Sequence, residues 1–176
     1  MKVGLLGLGI VGGGVATHLI KDVDSIEKQL GVRIVITKIL VRDLNKPRAD
    51  TIPFSLLTTN QNEILNSSEV DIIVEVMGGE QPASAYISEA IKSGKHVVTA
   101  NKEVMAKFGP DLLELAQQNQ VSLLFEASVG GAIPIIGNLS NDLIANRVSS
   151  IRGIINGTSN YILTRMSQDH AEFGKA

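Results

Sequence analysis

The 176-residue sequence predicts an α/β fold: a doubly wound, mostly parallel sheet, followed by the beginning of a second, α+β domain. Three observations support this. Runs rich in Val, Ile and Leu alternate with amphipathic stretches along most of the chain. Glycines and prolines stand where one kind of stretch gives way to the other. Hydrophobic residues make up 44% of the chain but aromatics only 3%, so the core is aliphatic, as in strands buried on both faces. Parallel neighbours need crossover connections, which the alternation supplies.

Lys2 to Leu6 reads as a buried strand. From Ile10 a helix begins, with Val11, Val15 and Leu19 forming its apolar stripe; it runs on toward Leu30, and Gly31 stops it. Val32 to Val41 is a second strand, and the polar segment from Arg42 to Pro53 is a loop. Gln61 to Ser67 predicts a short helix and Val70 to Val76 a buried strand. Gly78 and Gly79 end that strand, and Pro82 opens a helix over Ala83 to Ser93. His96 to Thr99 is the next strand. Glu103 to Lys107 predicts a turn or two of helix, broken at Gly109 and Pro110, with a separate helix following to Asn119. Val121 to Phe125 is another strand, Gly130 and Gly131 a turn, and Pro134 leads a helix carrying Ile135, Ile136, Leu139 and Leu143. Beyond it, Arg147 to Asn156 reads as a strand with Ile151, Gly153 and Ile155 on one face, and Thr158 to Gln168 as a helix. The expected division is a nucleotide-binding domain over 1–146 and the start of a second domain over 147–176.

Lys and Arg number 16 against 18 Asp and Glu, a net charge of −2, and no basic stripe supports nucleic-acid binding. The absence of cysteine excludes disulfides, thiolate metal sites and cysteine nucleophiles, in keeping with a cytoplasmic protein. No apolar run reaches membrane-spanning length, and a strand starting almost at Met1 leaves no room for a signal peptide.

Gly7-Leu8-Gly9-Ile10-Val11-Gly12 is a GxGxxG motif between a strand and a helix, the context in which it binds a dinucleotide in Rossmann-type folds. Gly7 permits the tight turn, Gly9 lets a pyrophosphate approach the backbone, and Gly12 lets helix and strand pack closely. The helix N-terminus offers free N–H groups to the anion. Gly13 and Gly14 are expected to serve packing. NAD-specific sheets place an acid at the end of the second strand, about 20 residues further on. Here Arg42 stands in that place, with Lys46 and Arg48 behind it, so a 2′-phosphate and hence NADP is favoured. Asp43 keeps NAD use open, and so does the reading of the three basic residues as solvated loop side chains.

Other candidates follow later strands. Gly78 and Gly79 either admit a ligand to the backbone or only turn the chain. After Thr99, Asn101 reads as a helix cap and Lys102 as either a surface lysine or an ammonium placed to steady charge on a substrate oxygen. Glu126 is either a buried acid near the crevice or a cap of its turn, and carbonyls of the glycine turn beyond it could hold a hard cation. His18, His96 and His170 show no metal-ligand spacing.

GLGIVGGGV, VEVMGG, TANKEVMA, EASVGGAIPII and GIINGTSNYIL, in this order and spacing, resemble homoserine dehydrogenase. The resemblance implies NAD(P)-dependent interconversion of L-homoserine and L-aspartate 4-semialdehyde, on the way to threonine and methionine. It implies that Leu8, Gly9, Ile10 and Val11 lie against the diphosphate and that Arg42 lies toward a 2′-phosphate. Lys102 would lie in the catalytic region beside the nicotinamide, and Gly78 and Thr99 are further cofactor-binding candidates. It further implies a monovalent cation such as sodium near Glu126, Val129, Gly131 and Ile133, held largely by main-chain oxygens. Asn156, Gly157 and Thr158 would stand at the entry to the substrate domain, with Gly157 and Thr158 near the bound amino acid. Members of this family continue into a substrate domain with a second catalytic lysine and with Asp and Glu that hold homoserine, and their dimer leans on that part. A chain ending at Ala176 is therefore expected to be truncated, to bind cofactor and to turn over little substrate, while the full-length parent forms a homodimer or larger assembly. Ala132 stands where the family commonly has Gly. Another amino-acid dehydrogenase and a non-catalytic nucleotide-binding module are the alternatives.

Overall fold

The computed structural model, which describes residues 1–154 and 156–175, places β1 (Lys2–Leu6), β2 (Val35–Leu40), β3 (Leu57–Thr58), β4 (Ile72–Glu75), β5 (His96–Thr99) and β6 (Leu123–Leu124) in one sheet. All five pairings are parallel and the order is β3-β2-β1-β4-β5-β6. This is the doubly wound arrangement the alternation predicts. The strand order reverses between β1 and β4, so a crevice opens at the carboxyl ends of these strands.

Two cores cover the two faces of the sheet. Leu6, Leu40, Ile73 and Val97 lie in one, with side chains from α4 (Ala83–Lys92) and α5 (Lys102–Gln118). Leu5 and Ile39 lie in the other, with Ala16 of α1 (Ile10–Lys21). Adjacent residues in β1 and β2 thus enter opposite cores, as a two-residue period requires. Burial of each large aliphatic side chain contributes about 1.5–3 kcal/mol, so strands apolar on both faces pack as the central layer. Lys95 is buried just before β5, where its Nζ donates to the carbonyls of Ser67 at 2.6 Å and Val70 at 3.1 Å.

Several elements depart from the sequence expectation. The first helix divides at Asp22 into α1 and α2 (Val23–Leu30), and Gly31 ends α2 in the left-handed region with φ of 70°. Its buried residues are Gly12 and Ala16 rather than the Val11 stripe, and Val11 is 55% exposed. Small residues on that face let α1 close on β1 and leave Val11 outside. The second strand starts at Val35 and the short helix α3 spans Asn62–Leu65. The two-residue β3, with a 3-10 turn over Phe54–Leu56 before it, was not foreseen. Most plainly, α5 runs unbroken through Gly109 and Pro110. An interior proline costs about 3 kcal/mol. Here Val104 before it and Leu112 and Ala116 after it are buried in the same core, which outweighs that cost.

The chain divides into two compact units, Met1–Val129 and Gly130–Ala176. The expected division at 146 falls inside the second of these. In that unit, the helix expected after Pro134 is a five-residue π-type stretch, Asn138–Asp142, and α6 spans Gly157–Gln168. No strand forms over the described residues between Arg147 and Asn156, and Ile155 lies outside the described residues. No described residue of this unit is buried, so no enclosed apolar face holds a strand there.

Candidate functional site

The bend between β1 and α1 forms the floor of the crevice. Gly7 takes a φ of 102°, which L side chains rarely adopt, and a Cβ there would sit 2.9 Å from the Val76 carbonyl oxygen. A Cβ on Gly12 would lie 2.2 Å from the Gly7 carbonyl oxygen. These two glycines are required by close backbone packing. Gly9 differs: its φ of −83° is ordinary and a Cβ there would meet nothing within 4 Å. Open space therefore lies where a diphosphate would approach. Gly9 is the N-cap of α1 and has no side chain to satisfy the free N–H groups of the first turn, which holds no acidic residue either. Ile10 at that turn is 97% exposed. Gly13 and Gly14 correct the packing expectation, since a Cβ on either would also meet open space.

A cleft of about 480 Å³ runs from this bend, past the end of β2, to the start of α4. Gly7, Leu8 and Gly9 line one end; Arg42, Asp43 and Lys46 line the side beyond β2. Thr59 and Gln61, which follow β3, and Met77, Pro82 and Tyr86, which follow β4, complete it. None of these five is among the site residues expected from the sequence. Their one signal is position, since each follows a strand's carboxyl end, and β3 is too short to announce itself.

The three basic residues beyond β2 have different roles. Arg48 donates to the carbonyls of Leu44 at 3.0 Å and Lys46 at 2.7 Å, and also to that of Asp43. Its guanidinium holds its own loop. Asp43 accepts from the Asn45 backbone N–H at 2.8 Å, which engages one carboxylate oxygen in the loop. Among the described residues, the exposed side chains of Arg42 and Lys46 have no hydrogen-bond or ion-pair partner and remain available to an anion.

The segments after β4 and β5 are tied together by buried polar groups. Glu75 is fully buried at the end of β4, and Thr99 beside it at the end of β5 donates to its Oε2 at 2.6 Å. The Thr99 hydroxyl is thus turned to Glu75. Gly78 and Gly79 follow with φ of 72° and 73°. Asn101 caps α5, its side-chain oxygen accepting from the Val104 N–H at 3.2 Å, and Lys102 is the first helical residue, exposed at the sheet's carboxyl edge. Glu126 lies half-buried in the 3-10 turn after β6, and Val129 ends that unit. Gly131 and Ile133 belong to the second unit, where Gly157 and Thr158 open α6 behind the cap Asn156. No group of three His, Cys, Asp or Glu side chains that could hold a metal ion occurs among the described residues.

Comparison with known proteins supplies the family. Residues 7–126 match the family model described as homoserine dehydrogenase, NAD binding domain, and residues 134–176 match the model described as homoserine dehydrogenase. The chain belongs to the homoserine dehydrogenase family. It is 42% identical to the homoserine dehydrogenase of Bacillus subtilis and 46% identical to that of Synechocystis, over 98% of this chain and 40% of each relative. A crystal structure of a homoserine dehydrogenase from Thiobacillus denitrificans superposes with a TM-score of 0.89 at 45% identity, covering 99% of this chain and 40% of that one. A hyperthermophilic archaeal homoserine dehydrogenase in complex with NADPH, 23% identical, shares the fold with a TM-score of 0.80 over 98% of this chain and 58% of that one. The chain thus spans about two fifths of the length of the curated relatives it matches. The family match from Gly7 to Glu126, which includes the glycine bend, falls within the first compact unit.

Proposed function

We propose that this chain holds NADP(H) along the cleft from Gly9 to Tyr86. It would do so as the nucleotide-binding part of an enzyme that interconverts L-homoserine and L-aspartate 4-semialdehyde. The supporting observation is the open space at Gly9, between two glycines that backbone contacts require. A diphosphate fits there because the first-turn N–H groups of α1 and the positive end of its dipole have no competing acid. NADP is preferred over NAD because Arg42 and Lys46 reach the cleft uncommitted, whereas Asp43 is engaged in its own loop.

When bound, the nicotinamide supplies hydride exchange with the substrate carbon. The residues of the chain orient and stabilise. Gly78 leaves the backbone approachable after β4, and Thr99 buttresses the end of β5. Lys102 presents an ammonium near the reacting oxygen and organises proton transfer there. Glu126, Val129, Gly131 and Ile133 would supply main-chain oxygens to a monovalent cation such as sodium, and Gly157 and Thr158 would meet the amino-acid substrate. The complete enzyme acts in the cytoplasm as a homodimer or larger assembly.

Titration with NADPH and NADH tests the cofactor assignment. Removing a charge-assisted contact to the 2′-phosphate should weaken NADPH about 10- to 100-fold in Arg42→Ala. NADH, which lacks that phosphate, should change less than about twofold. Equal weakening of both would refute the preference for NADP.

A further inference from the structure

Glu75 is the one fully buried carboxylate among the described residues, and the cofactor chemistry above does not use it. Its three contacts are all donors: the Thr99 hydroxyl at 2.6 Å, the Met77 backbone N–H at 2.7 Å and the Asn101 side-chain amide at 3.5 Å. No Lys, Arg or His forms an ion pair with it among the described residues. Taking a carboxylate out of water is costly, and an apolar side chain of similar volume would pack the core at least as well. Packing alone therefore does not account for a glutamate here.

This network meets the cleft at Met77, which lines it. Met77 lies on the turn that leads to Gly78 and Gly79, and Asn101 donates to the Gly79 carbonyl at 2.7 Å. The Asn101 backbone N–H donates to the Thr99 hydroxyl at 3.0 Å, and the Asn101 side-chain oxygen caps the helix that starts with Lys102. The ends of β4 and β5, the glycine turn and the first turn of α5 are therefore joined through one carboxylate. Arg42 and Lys46, assigned to the adenosine end, receive none of these bonds.

We infer that Glu75 is a positioning residue for the nicotinamide end of the cofactor site, fixing the Met77–Gly79 turn and the start of α5 through Thr99 and Asn101. This rests on the proposal that the chain binds NADP(H). The two readings separate in one experiment on the whole chain, with Glu75→Gln and Thr99→Val beside the wild type. Each protein is titrated with NADPH, followed by its own fluorescence, and with adenosine 2′,5′-bisphosphate, which carries only the adenosine end. A Gln at position 75 sets an amide N–H₂ against groups that all donate, so NADPH should weaken about tenfold. The bisphosphate should change less than about twofold. Thr99→Val removes one donor and keeps the carboxylate, so the same pattern is expected at about threefold. Should the Gln variant fail to fold, Thr99→Val decides. Equal loss of both ligands, or no loss of either, overturns the positioning role while leaving the cofactor site standing. A wild type that binds neither ligand removes the cofactor site and the positioning role together.

Discussion

A methyl group at Gly12 would lie 2.2 Å from a backbone oxygen, whereas one at Gly9 would meet no atom within 4 Å. Two glycines of one motif therefore predict opposite failures. Gly12→Ala must push α1 off β1 and should cost at least about 2 kcal/mol. Thermal unfolding would then fall by roughly 5 °C or more. Gly9→Val should keep the wild-type melting temperature within about 2 °C, since a Cβ there meets nothing within 4 Å, and should abolish NADPH binding. A Gly9→Val protein that binds normally would show that no diphosphate approaches there. Motif spacing made the tight turn at Gly7, the bare backbone at Gly9 and the close packing at Gly12 legible, but not the open space beside Gly13 and Gly14. Arg48 is similar. Its charge was legible, but its bonds to the carbonyls of its own loop depend on how residues 43–46 turn.

At the scale of single elements, α5 carries the clearest test. Pro110 is exposed, contributes no packing to the core, and removes one hydrogen bond from the middle of a 17-residue helix. Pro110→Ala restores that bond while freeing the unfolded chain, and should raise stability by about 1–2 kcal/mol. A melting curve that moves down would show that the proline stabilises α5. At the other end, Asn101→Ala removes the cap and the bond to Gly79, so a loss of about 1–2 kcal/mol in chemical denaturation is expected. The break expected at Gly109-Pro110 was a fair local inference, because neither residue favours a helix. What joined the two halves was a common core that local propensity does not report.

Across the whole molecule, stability should be concentrated in the first unit. Both hydrophobic cores lie within Met1–Val129, and no described residue beyond it is buried. Residues 1–129 alone should therefore unfold cooperatively, melt within about 3 °C of the full chain, and bind NADPH. A shortened chain that is unfolded at room temperature would show that residues 130–176 contribute more than burial indicates. Ile144, Ile154, Leu163 and Phe173 are each more than 60% exposed, so the second unit has apolar residues without the enclosed core that fixes a sheet or a long helix.

The amino-acid sequence by itself determined the parallel α/β layering, the glycine bend and the basic residue after β2. Each of these follows from short-range patterns: strand and helix periods, turn residues, and a charge at a set distance from a motif. Tertiary structure alone decided that α5 is continuous, that the two-residue β3 joins the sheet edge, and that no strand forms in the described residues after Arg147. It also brought Glu75, Thr99 and Asn101 into one buried network. All of these depend on which distant segment lies alongside, since a strand needs a neighbour, a helix needs a face to bury, and a buried carboxylate needs donors from other parts of the chain.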